Sequence, residues 1–190
     1  MILPIYTYGQ PVLRQEAEEI DKDYPKLDQL IKDMYETLER SEGIGLAAPQ
    51  VGVPIRLAII NLDVISEDLP EYKGYVRTFI NPFIEEYDET ETDIMEEGCL
   101  SLPNIYEEVV RKDKIRLRYL DENFQEHEEV FEGIRSRIIQ HEYDHLEGHV
   151  HVDRIAPLRK TLLQGKLRAI SEGKCDVDYR MIFPHKKKHR

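Results

Sequence analysis

Apolar residues recur at helical spacing in three stretches of the chain. In the first, the apolar positions from Leu27 to Leu38 share one helix face, Asp23 and Pro25 are start signals, and Gly43 is a stop signal. The other two stretches span about residues 133–147 and 157–170. In the last of them, Leu158, Leu162 and Leu167 lie on one side. The periodicity therefore predicts three helices.

Strand patterns occupy the chain between the first and the second predicted helix. Residues 55–62 form a short apolar run, and a second run at 75–80 is closed by Asn81-Pro82. Ile115, Leu117 and Tyr119 alternate with arginines, which is typical of a strand with one buried face. Weaker strand patterns lie at 106–110 and 124–131, and the Gly- and Pro-rich residues 43–52 predict an irregular segment. Because helices and strands do not alternate regularly, we predict an α+β fold with antiparallel or mixed sheets.

Composition indicates a single folded domain. The 190 residues carry a net charge of −12, which disfavours general binding to nucleic-acid phosphates. No apolar run approaches the roughly 18 residues of a membrane-spanning helix, and the N-terminus shows no secretory leader. Cys99 and Cys175 form no disulfide framework, and with no visible secretory leader we expect a cytoplasmic protein. From the net charge and the lack of a long apolar run, we expect neither DNA nor membrane as a partner.

The strongest chemical signal is the stretch His141-Glu142-Tyr143-Asp144-His145. On a helix, residues four positions apart lie on the same face, so the two histidines can bind one metal ion. Glu142 stands beside the first histidine and can handle a proton of water on that metal without being a ligand. The alternative interpretation is an acidic surface helix that happens to carry two histidines.

Two histidines leave a catalytic metal site incomplete, because such sites usually take three protein ligands and keep one position for water. The downstream candidates lack a recognisable third-ligand motif; they are His149, His151, Glu172, His185 and His189. Upstream, Cys99 follows Gly98 in a turn-like segment, which is unusual for a packing residue and makes a Cys-His-His set plausible. An inert buried thiol is the alternative. Cys175, in a polar stretch without ligand neighbours, is interpreted as a bystander.

Three sequence blocks stand in order along the chain: GIGLAAPQ at 43–50, EGCLS at 97–101 and QHEYDHL at 140–146. Together they resemble the signature of the peptide deformylases, and the resemblance covers about residues 1–170. It implies mixed and antiparallel sheets around a central helix that carries the histidine motif, with a C-terminal helix after it. It also implies a hydrolase that removes the formyl group from the N-terminal formylmethionine of newly made bacterial polypeptides and releases formate.

The resemblance assigns the metal ligands and the proton-transfer group to motif positions. Cys99, His141 and His145 would hold one divalent ion, natively Fe(II), which Zn, Ni or Co can replace. Glu142 would take a proton from the metal-bound water and deliver it to the leaving nitrogen. Because a thiolate is the ligand form of cysteine, metal binding should deprotonate Cys99.

Oxyanion stabilisation is assigned in the same way to two donors. The side-chain amide of Gln50 and the backbone N–H of Leu100 would stabilise the tetrahedral oxyanion together with the metal. A donor of this kind is typically worth about 3–4 kcal/mol of barrier. We therefore expect Gln50 to matter more for rate than for folding.

Substrate contacts are predicted along the first block and on the motif helix. Gly43 and Gly45 would let the backbone approach a peptide closely, and Ile44 and Gly45 would offer backbone hydrogen bonds. A tight turn is the simpler interpretation of the glycines. Ile44, Ile134 and Ile138 would line an apolar pocket for the methionine side chain, or they belong to the ordinary core.

Outside the motifs, we predict one catalytic domain over residues 1–170 and a C-terminal tail over 171–190, whose aromatic residues can pack back on the domain. Residues 185–190 hold four basic residues and two histidines, so both a frayed end and a contact with the ribosome remain open. The acidic residues 85–97 predict a solvated strand face or loop. Glu97 and Arg111 either pair to brace the strand of Cys99 or lie apart.

Three other functions remain open from the sequence. An endopeptidase with the same histidine motif would take a downstream third ligand and tolerate Cys99→Ala. A binding or metal-storage domain would hold a structural ion with four protein ligands and would unfold on chelation. A family member without activity would retain the fold, although every motif residue stands intact.

Overall fold

The structure is a computed structural model that describes residues 1–184. Within that range the helices are α1 (Leu27–Arg40), α2 (Gly133–Leu146), α3 (Pro157–Leu162) and α4 (Gln164–Ser171). The strands are β1 (Ile5–Tyr6), β2 (Gly45–Ala47), β3 (Leu57–Asn61), β4 (Val76–Tyr87), β5 (Thr92–Cys99), β6 (Leu102–Lys112), β7 (Lys114–Leu120), β8 (Glu126–Glu132) and β9 (Met181–Ile182). The tail residues 185–190, for which the sequence leaves a ribosome contact open, lie outside the described range. None of the described helices is long and apolar enough to cross a membrane.

The strands form three sheets. Five antiparallel strands lie in the order β2-β3-β4-β7-β8, β5 and β6 form a separate antiparallel hairpin, and β1 pairs in parallel with β9. Helix α1 packs on β2 and β3, and the predicted α+β class is confirmed. In β7, Ile115, Leu117 and Tyr119 are buried and their neighbours are partly exposed, as their alternation predicts.

Strand β4 continues past Asn81-Pro82, where the sequence pattern predicts its end. The register shifts between Ile80 and Phe83, so the dipeptide forms a bulge instead of a stop. Asn81 adopts a left-handed backbone with φ +48°, and its side-chain amide bonds both the N–H and the carbonyl of Ile20, at 2.9 and 2.7 Å. The bulge removes Pro82 from a position that needs an N–H donor, which is why the strand can resume and reach Tyr87.

The acidic residues 85–97 form the end of β4, a turn and most of β5, and they are mostly exposed. Basic side chains of neighbouring strands pair with several of them, for example Arg118 with Glu85 and Lys112 with Glu89. Glu97 differs from the others because it is buried. The prediction of a solvated face therefore holds for the run except at its last residue.

Helix α2 is the central element, packed against the five-stranded sheet on one side and β6 on the other. Polar side chains on its buried faces bond the surrounding strands: Ser136 and Gln140 donate to the carbonyl oxygen of Lys112 at 3.2 and 2.8 Å. Arg137 donates to the carbonyl oxygen of Val109 at 2.9 Å. Because buried polar groups need partners, these bonds favour one rotation and one height of α2 between the sheets.

The predicted helix over 157–170 is two helices, with Leu163 between α3 and α4. The predicted apolar face of this helix is wrong for the part that forms α3, since Leu158 and Leu162 are 74% and 68% exposed. Leu163, Leu167 and Ile170 supply the buried contacts instead and pack on β6. The break changes which side of the chain faces the core, so the periodicity of α3 does not continue into α4.

Candidate metal centre and active site

Three side chains from two elements bring potential metal-binding atoms together. Cys99 ends β5, and His141 and His145 lie one turn apart on α2. One donor atom from each of the three lies within 4.8 Å of the other two, and Cys99 Sγ is 3.4 Å from His145 Nε2. The structure therefore assembles the Cys-His-His set from segments about 40 residues apart in the chain.

The electrostatics of this set favour a thiolate. Burial raises the pKa of Cys99, but the charge of His145 and hydrogen bonds from the histidines outweigh burial and hold that pKa well below its usual value. Burial lowers the pKa of His141, yet its hydrogen bonds to Cys99 and Glu97 raise it well above the usual value. A sulfur in the thiolate form is the form that binds a cation.

Glu97 orients the first histidine. Its Oε1 lies 2.8 Å from His141 Nδ1, which leaves the other ring nitrogen for a cation. Arg111 donates to both Glu97 oxygens at 2.8 Å, and Arg137 donates to Oε2 at 2.6 Å. Burial would raise the pKa of Glu97, but the bonds from Arg111 and His141 hold it well below its usual range. Of the two arrangements considered from the sequence, the structure has the pair Glu97–Arg111.

The same network continues along α2 to Asp144. Arg111 also donates to Asp144 Oδ2 at 2.8 Å, and Arg154 donates to Asp144 Oδ1 at 2.6 Å. Burial raises the pKa of Asp144, and the two arginines lower it below its usual value. The helix with both histidines is thus tied by charged bonds to β6, through Arg111, and to the segment that follows α2.

Glu142 is a buried carboxyl beside the metal-ligand set. Burial raises its pKa to about 7, even though His141 and His145 act to lower it. Its Oε2 has no hydrogen-bond partner within residues 1–184. Gly45 makes this arrangement possible, because a Cβ at that position would lie 2.8 Å from Glu142 Cδ. A carboxyl that titrates near neutral pH is suited to proton transfer.

Gln50 faces the cysteine with a fixed amide orientation. Its Oε1 accepts the backbone N–H of Ala47 at 2.9 Å, so the NH₂ group must point the other way. That group lies 3.6 Å from Cys99 Sγ and 3.3 Å from Ser101 Oγ. The side chain therefore presents hydrogen-bond donors next to the candidate metal position.

A cleft of about 470 Å³ opens over this chemistry. With the exception of His145, which lies fully buried below the surface of the cleft, every predicted site residue lines it: Gly43, Ile44, Gly45, Gln50, Cys99, Leu100, Ile134, Ile138, His141 and Glu142. Ile134 and Ile138 reach the cleft from α2, on the turns that precede His141. The lining combines apolar walls with a few convergent polar groups, as ligand sites usually do.

Three residues of the site region had no assigned role from the sequence. His151 is buried with its ring 5.8 Å from that of His141, and its Nε2 lies 3.2 Å from the Ile105 carbonyl oxygen. Arg137 and Tyr179 line the cleft. Arg137 lies four residues before His141, so the helix pattern indicates that both share one face. The local sequence around His151 and Tyr179 does not indicate that either residue lies near the site.

The donor set fits a divalent cation. A thiolate and two imidazoles suit Zn, Co, Ni and Fe(II), and three protein ligands leave a position for water. With a buried carboxyl and an oriented amide in the same cleft, these features define a metal-dependent hydrolase as the class of protein.

Comparison with known proteins gives the family. The profile described as polypeptide deformylase matches residues 2–161. Peptide deformylases of Flavobacterium johnsoniae and Christiangramia forsetii are 48% and 46% identical to this chain, and each alignment covers the full length of both sequences. This chain belongs to the polypeptide deformylase family, whose members are metal-dependent enzymes.

Solved structures agree with this assignment. A peptide deformylase from Legionella pneumophila superposes with a TM-score of 0.79 and 32% identity, covering 92% of this chain and 98% of that one. The enzyme from Thermotoga maritima superposes with a TM-score of 0.74 and 38% identity, covering 83% and 99%.

Proposed function

We propose that this protein hydrolyses the formamide of N-formylmethionine at the start of newly made polypeptides, giving formate and a free amino terminus. The observation that carries the proposal is the position of Glu142, a buried carboxyl with a raised pKa, beside the set Cys99, His141 and His145. Membership of the deformylase family over nearly the whole chain supports the same reaction.

Cys99, His141 and His145 would hold the metal ion. A divalent cation there would act as a Lewis acid that acidifies water and polarises the formyl carbonyl. Fe(II) is the native ion that we propose, with Zn, Ni or Co as functional replacements. Glu97 keeps His141 in one orientation through the Nδ1 bond, so this ligand costs little reorganisation when an ion binds.

Glu142 transfers the protons. As a carboxylate it takes one proton from the attacking water and then delivers it to the departing nitrogen, which leaves as a neutral amine. Burial raises its pKa to about 7, which suits a carboxyl that must both accept and release a proton near neutral pH. Gly45 leaves the carboxyl the space it occupies.

Gln50 and Leu100 stabilise the charge that develops on the formyl oxygen. The Gln50 amide is held by Ala47, so its N–H donors need no reorientation during the reaction. The backbone N–H of Leu100, next to Cys99 in the chain, is the second donor that we propose. Both residues line the same cleft.

The substrate would bind along the first sequence block. Gly43, Ile44 and Gly45 border the cleft, where a peptide in extended form can bond to their backbone. Ile44, Ile134 and Ile138 supply the apolar wall for an unbranched methionine side chain.

We propose that residues 1–170 are the catalytic domain and that residues 171–190 form its tail. We also propose that the protein works in the cytoplasm, where nascent chains are made. We further propose that residues 171–190 can contact the ribosome.

Formate release tests the function. The metal-loaded protein is assayed on formyl-Met-Ala-Ser, with Glu142→Gln as the inactive variant and the exposed Glu108→Gln as the matched control. We expect release by the parent and the control, and a loss of about 10²–10⁴-fold in kcat for Glu142→Gln. Cleavage of internal peptide bonds without formate, or equal rates for the parent and Glu142→Gln, would refute the proposal. Metal analysis of protein purified without oxygen tests the assignment of Fe(II).

A further inference from the structure

The chain beyond the last helix returns to the catalytic cleft. Residues 181–182 form β9 and pair in parallel with β1, with Ile5 N–H bonded to the Arg180 carbonyl at 2.9 Å and Thr7 N–H bonded to the Ile182 carbonyl at 3.1 Å. Arg40, at the end of α1, donates to the side chain and the backbone carbonyl of Asp178, both at 3.0 Å. The segment is therefore anchored on both sides of Tyr179.

Tyr179 occupies a defined place between these anchors. Its ring packs against the main core cluster, together with Leu100 and Met181, and one side of it lines the cleft. Its hydroxyl donates to the carbonyl oxygen of Leu100 at 2.9 Å. Burial raises the pKa of Tyr179, so the phenol stays protonated and remains a donor at physiological pH.

The acceptor belongs to the turn that links Cys99 to β6. Ser101, the next residue, has its carbonyl bonded to Tyr8 N–H at 2.9 Å, and its hydroxyl lies 3.3 Å from the Gln50 amide. The turn carries the thiol ligand at one end and the partner of Gln50 at the other, with Leu100 between them. A rotation of the Leu100–Ser101 peptide would therefore disturb several parts of the site at once.

We propose that Tyr179 is a positioning residue for deformylation. Its hydroxyl holds the Leu100 carbonyl and so fixes the Leu100–Ser101 peptide. Through the Cα of Leu100, this restricts rotation of the preceding peptide, whose N–H points toward the reacting oxygen. This role rests on the proposed function. It gives the C-terminal segment, which lies beyond the residues matched by the family profile, a part in the active site.

Tyr179→Phe tests the role, because it removes the hydroxyl and keeps the ring that lines the cleft. Tyr35→Phe is the matched control: it removes a part-buried phenol that bonds Thr78 at 2.9 Å in the same core cluster but away from the cleft. Both variants are assayed for formate release from formyl-Met-Ala-Ser. We expect kcat to fall about tenfold in Tyr179→Phe with KM changed by less than about twofold, and neither to change in Tyr35→Phe.

A second measurement reports on the peptide itself. The Ser101 amide nitrogen is bonded to the Leu100 carbonyl carbon, so its ¹⁵N chemical shift in the zinc-loaded protein should change in Tyr179→Phe and not in Tyr35→Phe. An unchanged Ser101 shift, or a kcat within about twofold of the parent, would overturn the positioning role. A parent protein that releases no formate would overturn the proposed function and this role with it. The parent's own rate therefore distinguishes the two failures.

Discussion

The imidazole of His141 is bonded through Nδ1 to the carboxylate of Glu97, at 2.8 Å. Glu97 lies two residues before Cys99 on β5, so one carboxylate connects the strand that carries the thiol with the helix that carries both imidazoles. Two buried arginines, Arg111 and Arg137, hold that carboxylate in its charged form. The geometry of the metal-ligand set thus depends on an ion-pair network behind it.

Glu97→Gln should weaken metal binding. The amide cannot accept from two arginines and His141 with the same strength, so we expect the affinity for Zn to fall about 10–100-fold. The measurement is competition with a chelator of known affinity, with Glu108→Gln as the exposed control on the neighbouring strand. The free energy of unfolding should also fall by about 3 kcal/mol, since two buried arginines lose their charged partner. Equal Zn affinities in the two variants would contradict this role.

Glu142 should make the metal-free protein less stable as the pH rises. Its pKa is about 7 in the folded protein and 4.5 as the ordinary value, so between these values the folded state binds more protons than the unfolded state. The free energy of unfolding therefore decreases across that window, by about 3 kcal/mol in total. Glu142→Gln should remove this decrease, which urea unfolding at pH 5 and pH 8 would measure. If the free energy of unfolding changed with pH equally in the parent and in Glu142→Gln, the raised pKa of Glu142 would be excluded.

Gln50→Ala should reduce the rate far more than the substrate affinity. Loss of one oxyanion donor is expected to lower kcat about 10²–10³-fold, with KM nearly unchanged. The buried N–H of Ala47 also loses its acceptor, so the free energy of unfolding should drop by about 1–3 kcal/mol. Steady-state kinetics on the formylated peptide, beside the exposed Gln125→Ala, provide the check. A variant that changed KM alone would assign Gln50 to binding.

Gly45→Ala should lower kcat without lowering the content of folded protein. The added methyl group would lie 2.8 Å from Glu142 Cδ, so the carboxyl must move from its position beside the metal-ligand set. Gly165→Ala is the matched control, because a Cβ there meets no atom within 4 Å and alanine favours the helix that contains it. We expect about a tenfold loss of kcat for the first variant and none for the second. Equal kinetics would show that Glu142 tolerates the displacement.

Removal of the metal should abolish activity and leave the fold intact. The core of residues 1–184 consists of apolar clusters that contain neither His141 nor His145. The donor set has three protein ligands instead of the four typical of structural zinc. After chelation we expect an unchanged far-ultraviolet circular dichroism spectrum, no formate release, and recovery when Fe(II), Co or Ni is added. Unfolding on chelation would instead favour a structural metal domain.

The amino-acid sequence determined the local parts of this protein. Several features follow from spacings of two to four residues, which are set by the geometry of strands and helices themselves. They are the presence of α1 and α2, the alternation in β7 and the placement of His141 and His145 on one helix face. The three sequence blocks also predicted that Cys99 and Gln50 belong to the same site as the histidines, because their combination is specific to one family. Predicting these features does not require the contacts between residues that are distant in the sequence.

Only the tertiary structure decided the contacts between distant segments. The bond from Tyr179 to Leu100 spans 79 positions, and the bond from Glu97 to His141 spans 44. Strand β4 passes Asn81-Pro82 because the amide of Asn81 is satisfied by Ile20, 61 positions away. Such contacts depend on which surfaces bury their apolar area and satisfy their polar groups together, a balance over the whole chain that no local pattern contains.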